Sequence, residues 1–208
     1  MARPTQPEPD LEITKTLQSR GYRRIVGLDE VGRGALAGPL LVAAVEIEDM
    51  ISGVNDSKLL TPPQRQVLAE QIIRYAKQIS FGYASNLEID QLGMTAALGL
   101  AYQRALVNIV ADFYLSDNFV LANRPHLRAV KGDRLFYQVA AASIIAKVTR
   151  DRHMLIYDRA FPHYGWGQNS GYGTALHRQA IKQYGASPLH RLSFINRGWT
   201  VDIPEKMR

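Results

Sequence analysis

The chain has 208 residues, 46% of them hydrophobic, with a formal charge of +6 and an isoelectric point near 9.6. That length suits one domain with a buried core, and the absence of cysteine excludes disulfides and thiolate metal sites, so any metal must be held by oxygen or imidazole. The most apolar run, Pro39 to Val45, is far too short to span a membrane, and Met1 to Asp10 is polar and proline-rich with no apolar signal core, which points to a cytoplasmic protein.

Residues 1–20 read as a loose leader with a short helix at its end. Arg24 to Asp29 is rich in β-formers and predicts a strand closed by the glycine turn Gly32-Arg33-Gly34. Leu40 to Ile47 is nearly all apolar and predicts a central strand. Thr61-Pro62-Pro63-Gln64 is a helix start, with Thr61 as N-cap, proline in the first turn and Gln64 placed for a capping box. That helix should run to about Lys77 and be followed by a strand over Ile79 to Ala84. One long helix is expected from Glu88 towards Ile109, then short strands at Phe113 to Ser116 and Leu127 to Val130. From Tyr137 to about Phe161 the pattern is helical again, Pro162 to Gly173 reads as loop, and helix resumes at Thr174 to Tyr184. Strands with short links, then strands alternating with helices, predict an α/β fold: a mixed sheet with helices on both faces.

Acidic residues at strand ends carry the chemistry. Asp29-Glu30 ends the first strand, Asp117 the fourth, and Asp133 lies just past the fifth. Mg²⁺ and Mn²⁺ prefer oxygen ligands and are commonly held by a few carboxylates, water and phosphate oxygens. Aspartate is also an ordinary turn residue, so spacing leaves both readings open. Neighbours on a regular strand point to opposite faces, so Asp29 and Glu30 share a site only if the strand twists or breaks at Glu30. Basic residues gather in the last third (Lys147, Arg150, Arg152, Arg159, Arg178, Lys182, Arg191 and Arg197), interleaved with Tyr157, Tyr164, Trp166 and Tyr172. A phosphate-binding surface and a merely solvated face both fit that pattern.

The stretch Gly27-Leu28-Asp29-Glu30-Val31-Gly32-Arg33-Gly34-Ala35-Leu36-Ala37-Gly38-Pro39 resembles the first signature of the ribonuclease HII family. Asn55-Asp56-Ser57-Lys58-Leu59-Leu60, Lys131-Gly132-Asp133 with Ala141 to Asp151, Gly171-Tyr172-Gly173-Thr174, and His190-Arg191-Leu192-Ser193-Phe194 are similar to its later ones, in the family's order. The resemblance implies a ribonuclease H-like five-stranded mixed sheet flanked by helices, with a C-terminal helical part. Its span would be residues 21–198, leaving 199–208 as a tail. It implies an endoribonuclease that cuts RNA in RNA–DNA hybrids and at single ribonucleotides embedded in duplex DNA, leaving 5′-phosphate and 3′-hydroxyl ends. It further implies two-metal-ion catalysis with Mg²⁺ or Mn²⁺ on Asp29, Glu30, Asp117 and Asp133.

By the same resemblance Gly32, Arg33, Gly34 and Tyr172 contact the sugar, since a protein that tells RNA from DNA must meet the 2′-hydroxyl. Lys58, Ser143 and Lys147 are candidates for phosphate contacts. The chain departs from the family where Asn118 replaces the usual glycine after Asp117, and where Asn169-Ser170 replaces His-Lys before Gly-Tyr-Gly. His177 and His190 are set aside as metal ligands, because hard cations favour oxygen. The alternatives are a type 3 ribonuclease H, which usually carries an extra N-terminal domain for which residues 1–20 leave no room, and a non-catalytic hybrid-binding module. A monomer free of membrane is expected, and Trp199 to Arg208 does not read as a clamp-binding peptide.

Overall fold

Residues 9–195 are described by a computed structural model; the starting residues 1–8, Arg197, and the tail at 199–208 lie outside them. Five strands form one mixed sheet: β1 (Ile25–Val31), β2 (Leu40–Glu46), β3 (Gln78–Ala84), β4 (Phe113–Asp117) and β5 (His126–Ala129). Their order is β3-β2-β1-β4-β5, with β4 parallel to both β1 and β5. Every residue of β2 is buried, as its unbroken apolar run requires of an inner strand.

The helices are α1 (Glu12–Ser19), α2 (Pro62–Tyr75), α3 (Asn86–Leu92), α4 (Met94–Val107), α5 (Tyr137–Ala160), α6 (Trp166–Asn169), α7 (Ala175–Tyr184) and α8 (Leu192–Ile195). Helix α2 starts at the expected capping box, in which Thr61 and Gln64 satisfy each other's backbone amides. The single helix expected after Glu88 is instead two, because Gly93 takes φ = 78° and ends α3 there. The loop expected at Pro162 to Gly173 contains a 3₁₀ turn, Pro162–Tyr164, and the four-residue α6. Helix α1, at the end of the stretch read as a leader, is anchored: Leu17 packs with Ile25, Leu115, Phe136 and Val139, and Thr14 donates to Gln138 at 3.0 Å.

The chain divides into two units. The first comprises the chain up to Glu30 with Val42–Gly82 and Arg104–Val148; the second comprises Val31–Leu41, Tyr83–Gln103 and the chain from Thr149 onward. In the first, the start of α5 lies directly on β1. A β-carbon on Gly27 would stand 2.2 Å from the carbonyl carbon of Gln138, so that approach requires glycine. The second has its own apolar core, in which Trp166, Met154, Ile181 and Ile195 are fully buried.

Candidate active site

Strand register sets the acidic residues of the first unit. Leu28 of β1 pairs with Ser116 of β4, so the next residues, Asp29 and Asp117, lie abreast on one face of the sheet. Asp117 in turn pairs with Ala129 at the end of β5, after which Lys131 adopts a left-handed conformation and the 3₁₀ turn Gly132–Arg134 brings in Asp133. The Gly132 amide donates to Asp117 Oδ1 at 3.1 Å. Asn118 has φ = 52°, a conformation that glycine favours and asparagine tolerates better than most side chains, so this departure from the family keeps the backbone path. Asp112, at the opposite end of β4, accepts the amides of Arg23 and Arg24, each at 3.0 Å. Five residue steps along the strand set it about 16 Å from Asp117, and it is not part of the cluster.

Asp29 is 7% exposed and Asp133 2%. Burial raises the Asp29 carboxyl well above its usual range, and the charges of Glu30, Asp133 and Asp117 raise it further against the pull of Lys58. Asp133 is raised too, by burial first, with Asp56 adding to it. Lys58 Nζ stands 3.3 Å from Asp133 Oδ2 and 3.7 Å from Asp56 Oδ1. Burial works against its charge, but Asp133, Asp56 and Asp29 outweigh that and raise its pKa. β1 runs on through Glu30 to Val31 without a break, and Glu30 is partly exposed beside buried Asp29, close enough for its charge to raise that carboxyl. Among the described residues no three acidic or histidine side chains are already gathered to hold a metal ion.

Two residues that were not singled out brace this cluster. Asp56, 1% exposed, accepts from the Lys58 amide at 3.0 Å and from Arg134 Nε and Nη2 at 3.1 and 3.0 Å. It thereby ties the Lys58 turn to the Asp133 turn. Asp56 lies inside a recognised motif, which was the available signal; Arg134 directly follows Lys131-Gly132-Asp133 and lies outside it. Ser143, expected to meet phosphate, is 2% exposed; its hydroxyl donates to the Ala140 carbonyl and accepts the Ser57 amide, beneath the Lys58 turn. Lys147, one helical turn further along α5, is partly exposed.

In the second unit Gly32 has φ = 96°, and a β-carbon there would lie 2.3 Å from Arg150 Nε. Arg33 and Gly34 are exposed, and a β-carbon on Gly34 would meet nothing within 4 Å. Ala35 bridges to Tyr172 and Ala37 to His190, which lays the turn against the Gly-Tyr-Gly segment. Asn169 and Ser170, the other departure from the family, hold that segment: Asn169 Oδ1 accepts the Gly171 amide and Ser170 Oγ donates to Asp151, each at 2.8 Å.

Two of the basic residues counted towards a phosphate surface are not at the surface: Arg150 and Arg191 are both 0% exposed. Arg150 donates to the carbonyls of Pro39, Ser170 and Ala37, at 2.9, 2.7 and 3.1 Å. Arg191 donates to Gly38 through Nε and Nη2, and to Gly32 and Arg33 through Nη1. Burial, then the charge of Arg150, lowers Arg191 to about 9, which still leaves it a cation at neutral pH. His177 and His190 are buried in a chain of contacts. Trp166 Nε1 donates to His177 Nε2, which lies 3.1 Å from His190 Nε2; His177 Nδ1 meets the Tyr172 carbonyl at 2.9 Å, and the Ser187 amide donates to His190 Nδ1. Burial lowers both imidazoles, His190 to about 3, so both are neutral at ordinary pH.

The family model described as ribonuclease HII matches residues 26–197. A ribonuclease HII of Synechococcus sp. is 46% identical over 195 residues, covering 90% of this chain and 88% of its own length. One from Chloroflexus aurantiacus is 44% identical over 197 residues, covering 89% and 93%. Among solved structures, the ribonuclease HII of Archaeoglobus fulgidus in its complex with PCNA superposes with a TM-score of 0.73 at 26% identity, covering 86% of this chain and 99% of that one.

Proposed function

From the premise that this chain belongs to the ribonuclease HII family and is a ribonuclease H endonuclease, we propose that it cuts at single ribonucleotides embedded in duplex DNA as well as in RNA–DNA hybrids. What supports the site assignment is the register that sets Asp29 and Asp117 abreast on β1 and β4, with Asp133 on the turn after β5; burial first, and then the charges of Glu30, Asp133 and Asp117, raise the Asp29 carboxyl. Carboxylates so crowded need positive charge, and their oxygens suit a hard divalent cation.

Asp29, Glu30, Asp117 and Asp133 would hold Mg²⁺ or Mn²⁺. Such ions, when bound as a pair, supply an activated water and positive charge for the leaving 3′-oxygen. Asp29 and Asp117 would offer ligand oxygens from adjacent strands, and Glu30, partly exposed and near enough for its charge to act on Asp29, would add a further one. The Gly132 amide orients Asp117, while Asp56 and Arg134 set the turns that carry Lys58 and Asp133. Lys58, 75% exposed at its side chain, has the freedom to leave the carboxylates and meet a phosphate, with Lys147 as a second contact and Ser143 supporting Lys58 from beneath. Gly34, with no side chain and open space around it, lets backbone approach the ribose while Tyr172 holds the neighbouring sugar. Burying no side chain of its own there, the exposed Arg33-Gly34 pair leaves the main-chain amides as the groups that sense the 2′-hydroxyl.

The test is a duplex with one embedded ribonucleotide, incubated with Mg²⁺, with Mn²⁺ and with chelator. Cleavage beside the ribonucleotide that needs the divalent ion and leaves a 5′-phosphate is expected. Cleavage that proceeds in chelator, or that leaves a cyclic phosphate, would overturn the assignment. Tyr172→Ala should slow this substrate by about 100-fold, the scale of misplacing a reacting group by about 1 Å. An all-RNA strand paired with DNA should suffer less.

A further inference from the structure

Arg150 and Arg191 are the second unit's most unusual side chains. Both guanidiniums are fully buried, yet the hydrogen bonds they make, three from Arg150 and four from Arg191, go to main-chain carbonyls. Packing alone does not account for them, since apolar side chains of similar volume fill a core without the cost of desolvating charge. Their acceptors explain them. Gly32, Arg33, Ala37, Gly38 and Pro39 all belong to the irregular turn between β1 and β2, outside both strands, where no regular ladder takes up the main-chain carbonyls and they must be satisfied another way. The same Arg150 accepts no freedom on its other side: its guanidinium lies 5.5 Å from the Tyr172 ring centroid and bonds Ser170, two residues before that tyrosine.

Peptide geometry then orients the other side of the turn. In a trans peptide the carbonyl of one residue and the amide of the next point in opposite directions. Drawing the Gly32 and Arg33 carbonyls inward onto Arg191 therefore turns the amides of Arg33 and Gly34 outward, at the two exposed residues of the turn.

We propose that Arg150 and Arg191 are positioning residues that hold the Gly32–Pro39 turn and Tyr172 as one rigid reader of the ribose, and that they make no contact with phosphate. This rests on the reading that the turn and Tyr172 meet the sugar. Lysine keeps the charge but lacks the planar fork of donors, so Arg150→Lys and Arg191→Lys separate charge from positioning.

The readout is equilibrium binding, with Ca²⁺ in place of Mg²⁺, to two labelled duplexes that differ by one embedded ribonucleotide. Each lysine variant should unfold cooperatively and keep its affinity for the all-DNA duplex to within about twofold, while the preference for the ribonucleotide duplex falls by about tenfold, roughly the loss of one well-placed hydrogen bond. Equal weakening on both duplexes, with a shallower salt dependence, would make the arginines phosphate contacts and overturn the proposal. A lowered melting temperature with the preference intact would make them structural only, which also overturns it. Tyr172→Ala separates the two layers. If it abolishes the preference and the lysine variants do not, this inference fails alone; if the wild type has no preference, the sugar reading fails and takes this one with it. Should neither lysine variant fold, amide exchange in the wild type decides. Slow exchange at Leu36, Ala37 and Gly38, matching β1, supports a rigid turn; fast exchange overturns it.

Discussion

Asp29 and Arg191 are both charged groups taken almost wholly out of water, yet they are treated in opposite ways. Around Arg191 each guanidinium nitrogen donates to a carbonyl, and the second unit's buried histidines and tryptophan are likewise joined donor to acceptor. Around Asp29 the neighbours are further carboxylates, and the cation that acts on it, Lys58, is tethered on an exposed side chain to Asp133 and Asp56. The difference marks two kinds of polar burial. One is finished on folding and serves to fix backbone; the other stays electrostatically unfinished and is suited to receive positive charge from outside.

That contrast can be broken most directly at Asp29. Asp29→Asn should lower single-turnover cleavage by about 1,000-fold or more, as expected for losing a principal electrostatic partner, while hybrid binding survives. In chelator the same variant should be more stable than wild type by on the order of 1 kcal/mol, and so unfold at a higher temperature, because a crowded buried charge is gone. A lower melting temperature in chelator would mean the acidic end is as complete as the arginine-lined turn.

Acid should act on the finished region. Burial, with His177 beside it, takes His190 from an ordinary value of 6.5 to about 3. Trp166, Tyr164, Ser187 and His177 surround it and offer no carboxylate to welcome a proton. The unfolded chain accepts a proton that the folded one refuses, so stability is full above about pH 6.5 and declines as the pH falls towards 3. By pH 4.5 the loss should reach roughly 2.5 kcal/mol. Urea unfolding at pH 7, 5.5 and 4.5 measures it, and His190→Gln should flatten the slope. A wild-type midpoint that does not move over that range would show the imidazoles to be less committed than their contacts imply.

The comparison sharpens within one strand. Asp117→Asn should slow cleavage by at least about 100-fold. Asp112→Asn should leave the rate nearly unchanged and give a small loss of stability, since it accepts two amides at the far end of β4. A reversed ranking would place the reactive end of the sheet at the wrong edge.

What was legible in the sequence follows from how local each signal is. The Thr61 capping box, the apolar run of β2 and the place of Asp117 at the end of β4 depend on a few adjacent residues, and the structure has them there, whereas β1 runs two residues past Asp29, where the sequence reading ends it. The break of the helix at Gly93 was available in the sequence but was outweighed by the apolar pattern on either side. Arg150 and Arg191 were read with the basic surface because an arginine's usual place is in water. All but one of their acceptors (Ser170, 20 residues after Arg150) lie more than 100 residues earlier in the chain, and no local pattern marks a carbonyl as needing a guanidinium. The same holds for the brace from Arg134 to Asp56, across 78 positions. Asn118 stands where the family pattern has glycine, and its positive φ is a conformation that glycine takes readily, which the sequence alone does not reveal.

Gly27 lies two residues before Asp29, and its missing β-carbon is what lets the Gln138 backbone rest against β1. Every single-base missense change in a glycine codon installs a side chain with at least that one carbon. Position 27 therefore has no harmless neighbour in mutational space: the mildest change, to alanine, already drives strand and helix apart beside the acidic end. A residue with no functional group is thus as exposed to inactivating mutation as the carboxylates it sits beside, and a screen for lost activity would find it among them.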